Sequence, residues 1–178
     1  MGVRASDTGE VAFEDVRVPQ SNLVGKEGHG FRQLMHFFDT TRVMIASQAL
    51  GLSEACLETS IRYVKEREVF GSTLGSFQLT QMKLTEMAIK IEALRGLIYK
   101  AAWLIDQGRP DYVLASMAKY YGGQTAVFCA NNAVELHGGY GYIDEYSVQK
   151  WYRDAKVLEL YEGTKEAEIM TIGKILQT

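Results

Sequence analysis

The sequence has few cysteines, prolines and histidines, and each shortage limits what the chain can be. With 2 prolines and 47% hydrophobic residues among 178, the chain is long enough to bury a sizeable core and is not expected to be disordered. Its 2 cysteines, Cys56 and Cys129, lie far apart among helix-forming residues, where a free thiol behaves as a small apolar group. We therefore expect buried structural thiols and a reducing compartment.

The sequence also lacks long runs of one kind, whether of like charge or of apolar residues. The formal net charge is −3 and like charges do not cluster, so nucleic acid is not an expected partner. A membrane-spanning helix needs about 20 consecutive apolar residues, and charges interrupt every such window in this chain. We therefore expect a soluble protein without a membrane span.

The first residues carry no recognisable targeting signal. Met1 to Asp7 lack the apolar segment of a secretory signal, and Asp7 and Glu10 are untypical of a transit peptide. The expected location is the cytoplasm, or the mitochondrial matrix if the organism is a eukaryote. The first residues resemble the interior of a domain, as if a start codon had been placed in the middle of its coding sequence. We therefore expect a truncated chain or one piece of a split protein.

Candidate metal ligands are too sparse to predict a metal site. The 3 histidines are His29, His36 and His137, and Glu135 stands two residues from His137. Di-iron bundles need a Glu-x-x-His spacing, and zinc sites need a cluster of Cys and His. Neither pattern occurs, and no cysteine or serine stands in a nucleophile motif.

The hydrophobic pattern changes from strand-like to helical near residue 30. Residues 10–18 alternate apolar and polar side chains up to Pro19, which predicts a strand, and glycines at 25, 28 and 30 predict a loop. One strand cannot fold alone, so it is expected to belong to a sheet whose other members lie elsewhere.

Helical periodicity then continues to the end of the chain. The first helix is predicted over about 30–68, with an apolar face that comprises Leu34, Phe38, Met44, Leu50, Leu52, Ala55, Ile61 and Val64. The clearest pattern is a stripe of the second helix, formed by Leu84, Met87, Ile91, Leu94, Ile98, Ala101 and Ile105. A third helix is predicted over 110–137, a shorter one after an N-cap at Asp144, and a last one after Gly163.

These elements predict an all-α fold, an up-and-down four-helix bundle with an extra short C-terminal helix and a short N-terminal β segment. Two domains are expected, residues 1–27 and residues 28–178. Gly122 and Gly123 each cost about 1 kcal/mol of helix propensity, so we expect a neighbouring element to approach closely there. The glycines at 138 and 139 suit a helix C-cap.

On the residues alone, the charged candidates have ordinary interpretations. Arg42 and Arg67 could each hold a phosphate, but they equally suit surface cations or ion-pair partners. Glu162 precedes a helix, where the positive end of the helix dipole favours a carboxylate. Composition and periodicity therefore indicate a helical bundle and no specific activity.

Several short motifs, in order and over nearly the whole chain, resemble the acyl-CoA dehydrogenase family. They are Gly9 to Pro19, Asn22 to Gly25, Gly28 to Phe31, Asp39 to Arg42, Glu66 to Gly71 with Gln78, Leu136 to Tyr142, Arg153 to Lys156, and Tyr161 to Thr164. By this resemblance residues 1–27 are a remnant of the family's middle β-domain, and residues 28–178 are its C-terminal helical domain.

The resemblance implies an oxidoreductase of fatty acid metabolism, with Glu162 as the general base. Glu162 would remove the proton alpha to the thioester carbonyl while the beta carbon passes a hydride to flavin. The alpha proton is only weakly acidic, so the base must be desolvated and the enolate stabilised by hydrogen bonds. Some members place the base directly before the arginine of the first helix. That position is Thr41 here, which cannot act as a carboxylate base.

The resemblance also implies sites for FAD and acyl-CoA. Cofactor contacts are expected from Arg67, Phe70, Gln78, Glu135, Leu136, His137, Gly138, Gly139, Thr164 and Glu166. The first three are expected to contact the FAD of a neighbouring subunit, residues 135–139 to touch the same dinucleotide, and Thr164 and Glu166 to lie against the cofactor next to the base. The acyl-CoA is expected to be bordered by Asp39, Arg42, Tyr161 and Gly163. The family usually has glutamine in place of Glu135 and Glu166, so two added negative charges are expected near an anionic cofactor.

Much of the family's flavin-binding β-domain and its amino-terminal helical domain is absent from this chain. We therefore expect the isolated polypeptide to bind FAD poorly and to have little activity. The expected partners of the intact protein are an electron-transferring flavoprotein and further copies of the chain, as a dimer or tetramer. A non-catalytic assembly or binding module, and an acyl-CoA oxidase-like enzyme, remain as alternatives, and the residues leave the acyl chain length open.

Overall fold

The structure, a computed structural model, describes residues 1–177. Thr178, the last residue of the predicted second domain, lies outside the described residues. Within that length the α-helices are α1 Gly30–Glu66, α2 Gln78–Asp106, α3 Tyr112–His137, α4 Val148–Ala155 and α5 Lys165–Ile175. An antiparallel hairpin of β1 Glu68–Val69 and β2 Ser72–Thr73 joins α1 to α2. Short 3-10 turns occupy Gln20–Asn22, Leu74–Ser76, Gly138–Tyr142 and Lys156–Glu159.

The predicted all-α class is confirmed, and α3 is the helix at its centre. It packs against α1, α2, α4 and α5, and residues on most of its circumference are buried. The long helices α1 and α2 flank it, whereas α4 has only 8 residues and α5 has 11. The segment that carries Glu162 lies between α4 and α5, so it is placed against the most buried helix of the bundle.

The glycine pair of α3 lies where neighbouring backbones come close, as predicted. A Cβ on Gly122 would lie 3.3 Å from Ala46 Cα in α1, and a Cβ on Gly123 would lie 2.8 Å from the Leu158 carbonyl oxygen. The second distance is too short for a side chain, so Gly123 allows the segment before Glu162 to rest directly on α3.

The stripe predicted for α2 is confirmed, but the predicted face of α1 is partly wrong. In α1 the larger residues Leu34 and Met44 are exposed, and the face that packs on α3 contains mainly small or polar residues. This face comprises Arg42, Val43, Ala46, Ala49, Leu50, Ser53, Cys56, Ser60 and Val64. The close approach of α1 to Gly122 explains the difference, because large side chains would hold the two helices apart.

Other local predictions differ from the structure at the ends of elements. Residues 10–18 form no strand, because no second strand lies beside them among the described residues to accept their backbone hydrogen bonds. Helix α4 begins at Val148 rather than after Asp144. Helix α3 begins one residue after Asp111, whose carboxylate accepts hydrogen bonds from the amides of Val113 and Leu114.

Both cysteines are buried and unpaired, as predicted. Burial raises the pKa of the Cys56 thiol, and it raises that of Cys129 to about 11. Neither thiol is therefore ionised near neutral pH, which suits structural rather than reactive roles.

Candidate active site

Glu162 lies in a tight turn between the 3-10 turn Lys156–Glu159 and α5, and its backbone is left-handed. Its φ is 58°, and the next residue, Gly163, has a φ of 108°. Positive φ is uncommon for residues other than glycine, and it costs free energy that the surroundings must offset. Thr164 then caps α5 by accepting a hydrogen bond from the Ala167 amide. The turn thus places Glu162 directly before the N-cap of α5.

The Glu162 carboxylate is half-buried and faces α1. Its Oε2 accepts a hydrogen bond from Thr41 Oγ1 at 2.6 Å. Thr41 stands at the position where some relatives were expected to carry the base. The two alternative positions for that carboxylate therefore lie within one hydrogen bond of each other in this fold.

Two buried cations donate hydrogen bonds to the backbone of the turn formed by Glu162 and Gly163. Arg42 Nε donates to the Glu162 carbonyl oxygen at 3.4 Å, and the Lys119 ammonium donates to the Gly163 carbonyl oxygen. The side chain of Lys119, from α3, is almost fully enclosed at 1% exposure. A lysine at that depth needs polar partners, and the carbonyl of the turn is one of them.

Glu168, from the first turn of α5, completes a charged cluster beneath Glu162. Its Oε1 lies 3.0 Å from Arg42 Nε, and the residue is 0% exposed. Arg42 Nη1 also donates to Ser116 Oγ at 3.3 Å. Burial raises the pKa of Glu168, while Ser116 and the two cations oppose that rise. Burial likewise lowers the pKa of Lys119, against the attraction of Glu168.

The residues predicted to border acyl-CoA lie near this turn. Asp39 and Arg42 line one cavity of about 310 Å³, together with Met35, His36, Tyr112 and Thr171. The Tyr161 hydroxyl donates to Gln48 Oε1 at 2.5 Å, and Gly163 adjoins Glu162. Arg42 is 8% exposed and directed into the protein, so its contacts are with the turn and with Glu168.

A second cavity, of about 600 Å³, lies where the ends of α1 and α3 meet. Predicted cofactor residues that line it are Arg67, Glu135, Leu136, His137, Gly138 and Gly139. Residues that were not predicted as cofactor contacts also line it, namely Tyr63, Val69, Leu74, Tyr140 and Ile143. Two motifs about 70 residues apart thus meet on one surface.

Aromatic side chains pack against one another in the wall of this cavity. The Tyr63 ring stacks on His137 with centroids 4.1 Å apart, and its hydroxyl donates to the His137 carbonyl oxygen at 3.3 Å. The Arg67 guanidinium lies 5.5 Å from the centre of the Tyr140 ring. Burial lowers the pKa of His137, whose Nδ1 lies 2.7 Å from the Ala133 carbonyl oxygen. His137 is therefore neutral at pH 7, and Arg67 provides the positive charge.

Gly138 is the C-cap of α3, as predicted for this glycine cluster. Its φ is 59°, and its amide donates to the Glu135 carbonyl oxygen. A glycine meets this conformation without the penalty that a Cβ brings. The exposed backbone of Gly138 and Gly139 therefore forms part of the cavity wall.

The negative charge of Glu135 is matched within the chain. Lys83 from α2 forms a salt bridge with Glu135, and Asn131 donates to its Oε1 at 2.8 Å. The hydrogen bond from Lys83 lowers the pKa of Glu135. The carboxylate is therefore ionised but not an uncompensated charge on the cavity rim.

The remaining predicted cofactor residues lie outside this cavity. Phe70 is 98% exposed at the tip of the β1–β2 hairpin, and Gln78 is the exposed first residue of α2. Thr164 is the N-cap of α5 and Glu166 lies in its first turn, close in sequence to Glu162. Hydrogen bonding of the Glu166 side chain to its own backbone amide lowers its pKa, as suits a carboxylate in the first turn of a helix.

Sequence reasoning missed Lys119, Glu168 and Ser116, which lie under the turn. One signal was available: Lys119 follows Ala115 and Ala118 on an otherwise small-residue face of α3. A lysine within such a face is costly unless it has a buried partner.

Among residues 1–177 no helix is long and apolar enough to cross a membrane, and no group of three or more His, Cys, Asp or Glu residues could hold a metal ion.

Comparison with known proteins gives consistent matches. Residues 28–177 match the family described as acyl-CoA dehydrogenase, C-terminal domain. The short-chain specific acyl-CoA dehydrogenase of Megasphaera elsdenii is 43% identical over 176 residues, 99% of this chain and 46% of that protein. This chain thus spans about half the length of the curated relatives that it matches.

Solved structures agree with this match. The butyryl-CoA dehydrogenase from Megasphaera elsdenii superposes with a TM-score of 0.90 at 43% identity, over 93% of this chain and 43% of that one. A structure titled as the electron transferring flavoprotein of Acidaminococcus fermentans, on flavin-based electron bifurcation, superposes with a TM-score of 0.90 at 41% identity. That superposition covers 92% of this chain and 43% of the other.

Proposed function

Because the chain belongs to the acyl-CoA dehydrogenase family, as its C-terminal domain, we propose that it supplies the catalytic base and part of the flavin site for dehydrogenation of an acyl-CoA. Glu162 is the proposed base, which takes the proton alpha to the thioester carbonyl. The product would be the 2,3-enoyl-CoA. Asp39, Arg42, Tyr161 and Gly163 are the residues proposed to border the substrate.

The observation that carries this proposal is the placement of the Glu162 carboxylate. It is half-buried, it is held by Thr41 Oγ1 at 2.6 Å, and its backbone is fixed in a left-handed turn. A general base acts through geometry first, since its oxygen must reach the proton in a fixed orientation. A fixed carboxylate beside a helix that bears two further predicted substrate residues supports that role.

The cavity near Arg67 suits part of a dinucleotide cofactor. Arg67 offers a guanidinium fork, the glycines at 138 and 139 offer open backbone, and Tyr63 and Tyr140 offer aromatic faces. The salt bridge between Lys83 and Glu135 removes the repulsion expected from that carboxylate. We propose that these residues hold part of FAD, with Phe70 and Gln78 from the same end of the bundle. When bound, FAD would accept the hydride from the beta carbon of the substrate.

We propose further copies of this chain and an electron-transferring flavoprotein as partners. The first follows from the expectation that Arg67, Phe70 and Gln78 serve the FAD of a neighbouring subunit. Support for the second comes from the relative whose title names an electron transferring flavoprotein. We also propose that the 178-residue chain by itself binds FAD weakly and has little activity.

The test is co-expression of the chain with the family's amino-terminal helical domain and flavin-binding β-domain, followed by dye reduction with acyl-CoA thioesters of different lengths. Glu162→Gln should lower kcat by about 10²–10⁴-fold, because it removes the base but keeps the shape of the side chain. Flavin content, measured by absorbance, should be unchanged. The control is Glu86→Gln, an exposed glutamate on α2, which should retain full activity.

Other results would reject the proposal in specific ways. Full activity of Glu162→Gln would exclude it as the base, and a complex with no flavin absorbance would favour a non-catalytic assembly module. Hydrogen peroxide formed in proportion to substrate would identify oxygen as the electron acceptor. Stoichiometric flavin in the purified 178-residue chain would contradict the predicted weak binding.

A further inference from the structure

Lys119 and Glu168 are two buried charged residues to which the proposed reaction gives no role. They come from α3 and from the first turn of α5, and their exposures are 1% and 0%. Neither can touch a substrate or cofactor from the surface. Burying a charge is unfavourable unless the geometry of its partners is good, so a cluster of this kind invites a specific explanation.

Both residues contact the two-residue turn formed by Glu162 and Gly163. The Lys119 ammonium donates to the Gly163 carbonyl oxygen. Glu168 Oε1 lies so close to Gly163 that a Cβ built there would be 2.4 Å from it. The turn is therefore in contact with a cation and an anion whose own positions are fixed by burial.

Glu168 also acts on the turn through Arg42. Its Oε1 lies 3.0 Å from Arg42 Nε, and that same nitrogen is 3.4 Å from the Glu162 carbonyl oxygen. Consecutive carbonyl groups, those of Glu162 and Gly163, thus each receive a hydrogen bond from a buried cation. Because both carbonyls are held, the peptide units on either side of Gly163 have little freedom to rotate.

These contacts hold Glu162 in an unfavourable backbone conformation. Glu162 has a φ of 58°, and a non-glycine residue leaves the left-handed region readily unless its surroundings prevent it. We infer that Lys119 and Glu168 are positioning residues, which keep Glu162 in this conformation so that its carboxylate points to Thr41 and to the substrate. This inference rests on the proposed role of Glu162 as the base.

The first measurement uses the 178-residue chain and does not depend on activity. The three-bond coupling between the amide and alpha protons of Glu162 reports its φ in solution. The variant Lys119→Met replaces the ammonium group by a neutral side chain of similar length. In this variant the coupling should move from the wild-type value toward the value typical of a right-handed backbone. The matched control is Lys100→Met, an exposed lysine on α2, which should leave the coupling unchanged.

The second measurement uses the chain co-expressed with the family's amino-terminal helical domain and flavin-binding β-domain. Misplacing a reacting group by about 1 Å can cost on the order of 10²-fold in rate, so Lys119→Met should lower kcat by about that factor with little change in KM. The kinetic isotope effect with acyl-CoA deuterated at the alpha carbon should increase, because proton removal becomes slower. A purely structural role for Lys119 would not produce this selective change.

Glu168→Gln provides a second variant in case Lys119→Met does not fold. It keeps the shape but removes the charge that anchors Arg42, and the same shifts in coupling, kcat and isotope effect are expected. A folded variant with the wild-type coupling and wild-type kcat would overturn the inference. If Glu162→Gln remains active, the proposed function fails, but a changed coupling in Lys119→Met would still show that the lysine holds the turn.

Discussion

The two candidate regions of the molecule are built in opposite ways. The turn around Glu162 rests on charges that are buried within this chain, whereas the cavity near Arg67 has its charges at the surface. Arg42 and Glu168 have side-chain exposures of 9% and 0%, against 30% and 49% for Lys83 and Glu135. The position of the carboxylate is thus fixed by the fold of this domain, while the cavity offers groups that can adapt to a ligand.

This contrast fits the roles that we propose for the two regions. A base must be oriented before the substrate arrives, because freedom lost during the reaction raises its barrier. A cofactor site can acquire part of its order from the cofactor itself. Phe70 illustrates such a group: its ring lies edge-on to that of Phe77, with centroids 6.5 Å apart, yet the residue is 98% exposed and can gain further contacts when a ligand binds.

The largest expected effect separates the buried ion pair from the exposed one. Arg42→Met leaves Glu168 buried without its closest cation, so the free energy of unfolding should fall by about 3–5 kcal/mol. Lys83→Met breaks an exposed pair and should cost about 0–1 kcal/mol. Urea denaturation of the two variants measures both values. Equal losses of unfolding free energy would mean that the buried ion pair at the turn and the exposed ion pair at the cavity contribute equally to stability.

A smaller effect tests how directly the segment before Glu162 rests on α3. A Cβ on Gly123 would crowd the Leu158 carbonyl oxygen at 2.8 Å, whereas a Cβ on Gly51 in α1 meets nothing within 4 Å. Both alanine variants gain the same helix propensity. Gly123→Ala should therefore be less stable than Gly51→Ala by about 1–3 kcal/mol in thermal or urea denaturation. Equal stability would show that the segment can move away from α3 without cost.

The smallest expected effect is an opposite dependence of stability on pH in the two regions. Burial lowers the pKa of His137 below 6.5, so the unfolded chain takes up a proton first as the pH falls. Stability is therefore lost between pH 6.5 and the lower folded pKa. Burial raises the pKa of Glu168 above 4.5, so the folded carboxyl keeps its proton longer. There, stability is lost as the pH rises from 4.5.

Two variants that cannot titrate separate these contributions. The difference in unfolding free energy between wild type and His137→Gln should fall with decreasing pH below 6.5, by at most about 1.4 kcal/mol per pH unit. The difference between wild type and Glu168→Gln should fall with increasing pH above 4.5, within the same limit. Parallel curves for wild type and either variant would contradict the corresponding direction.

The sequence predicted those features that depend on neighbours along the chain. The stripe of α2 follows from a spacing of three and four residues, and the close approach at Gly122 and Gly123 follows from the cost of glycine in a helix. Glu162 was selected by its motif, and its role stays a prediction. Local pattern was sufficient for these because helix formation and helix faces are set within a few turns.

Only the tertiary structure revealed which side chains meet. Lys119 and Gly163 are 44 residues apart, and Lys83 and Glu135 are 52 apart, so no local pattern relates them. The strand expected over 10–18 is not formed, and the face expected for α1 was partly wrong, for the same reason. A strand needs a partner that periodicity does not supply, and the side chains that fit between two helices depend on how closely those helices pack.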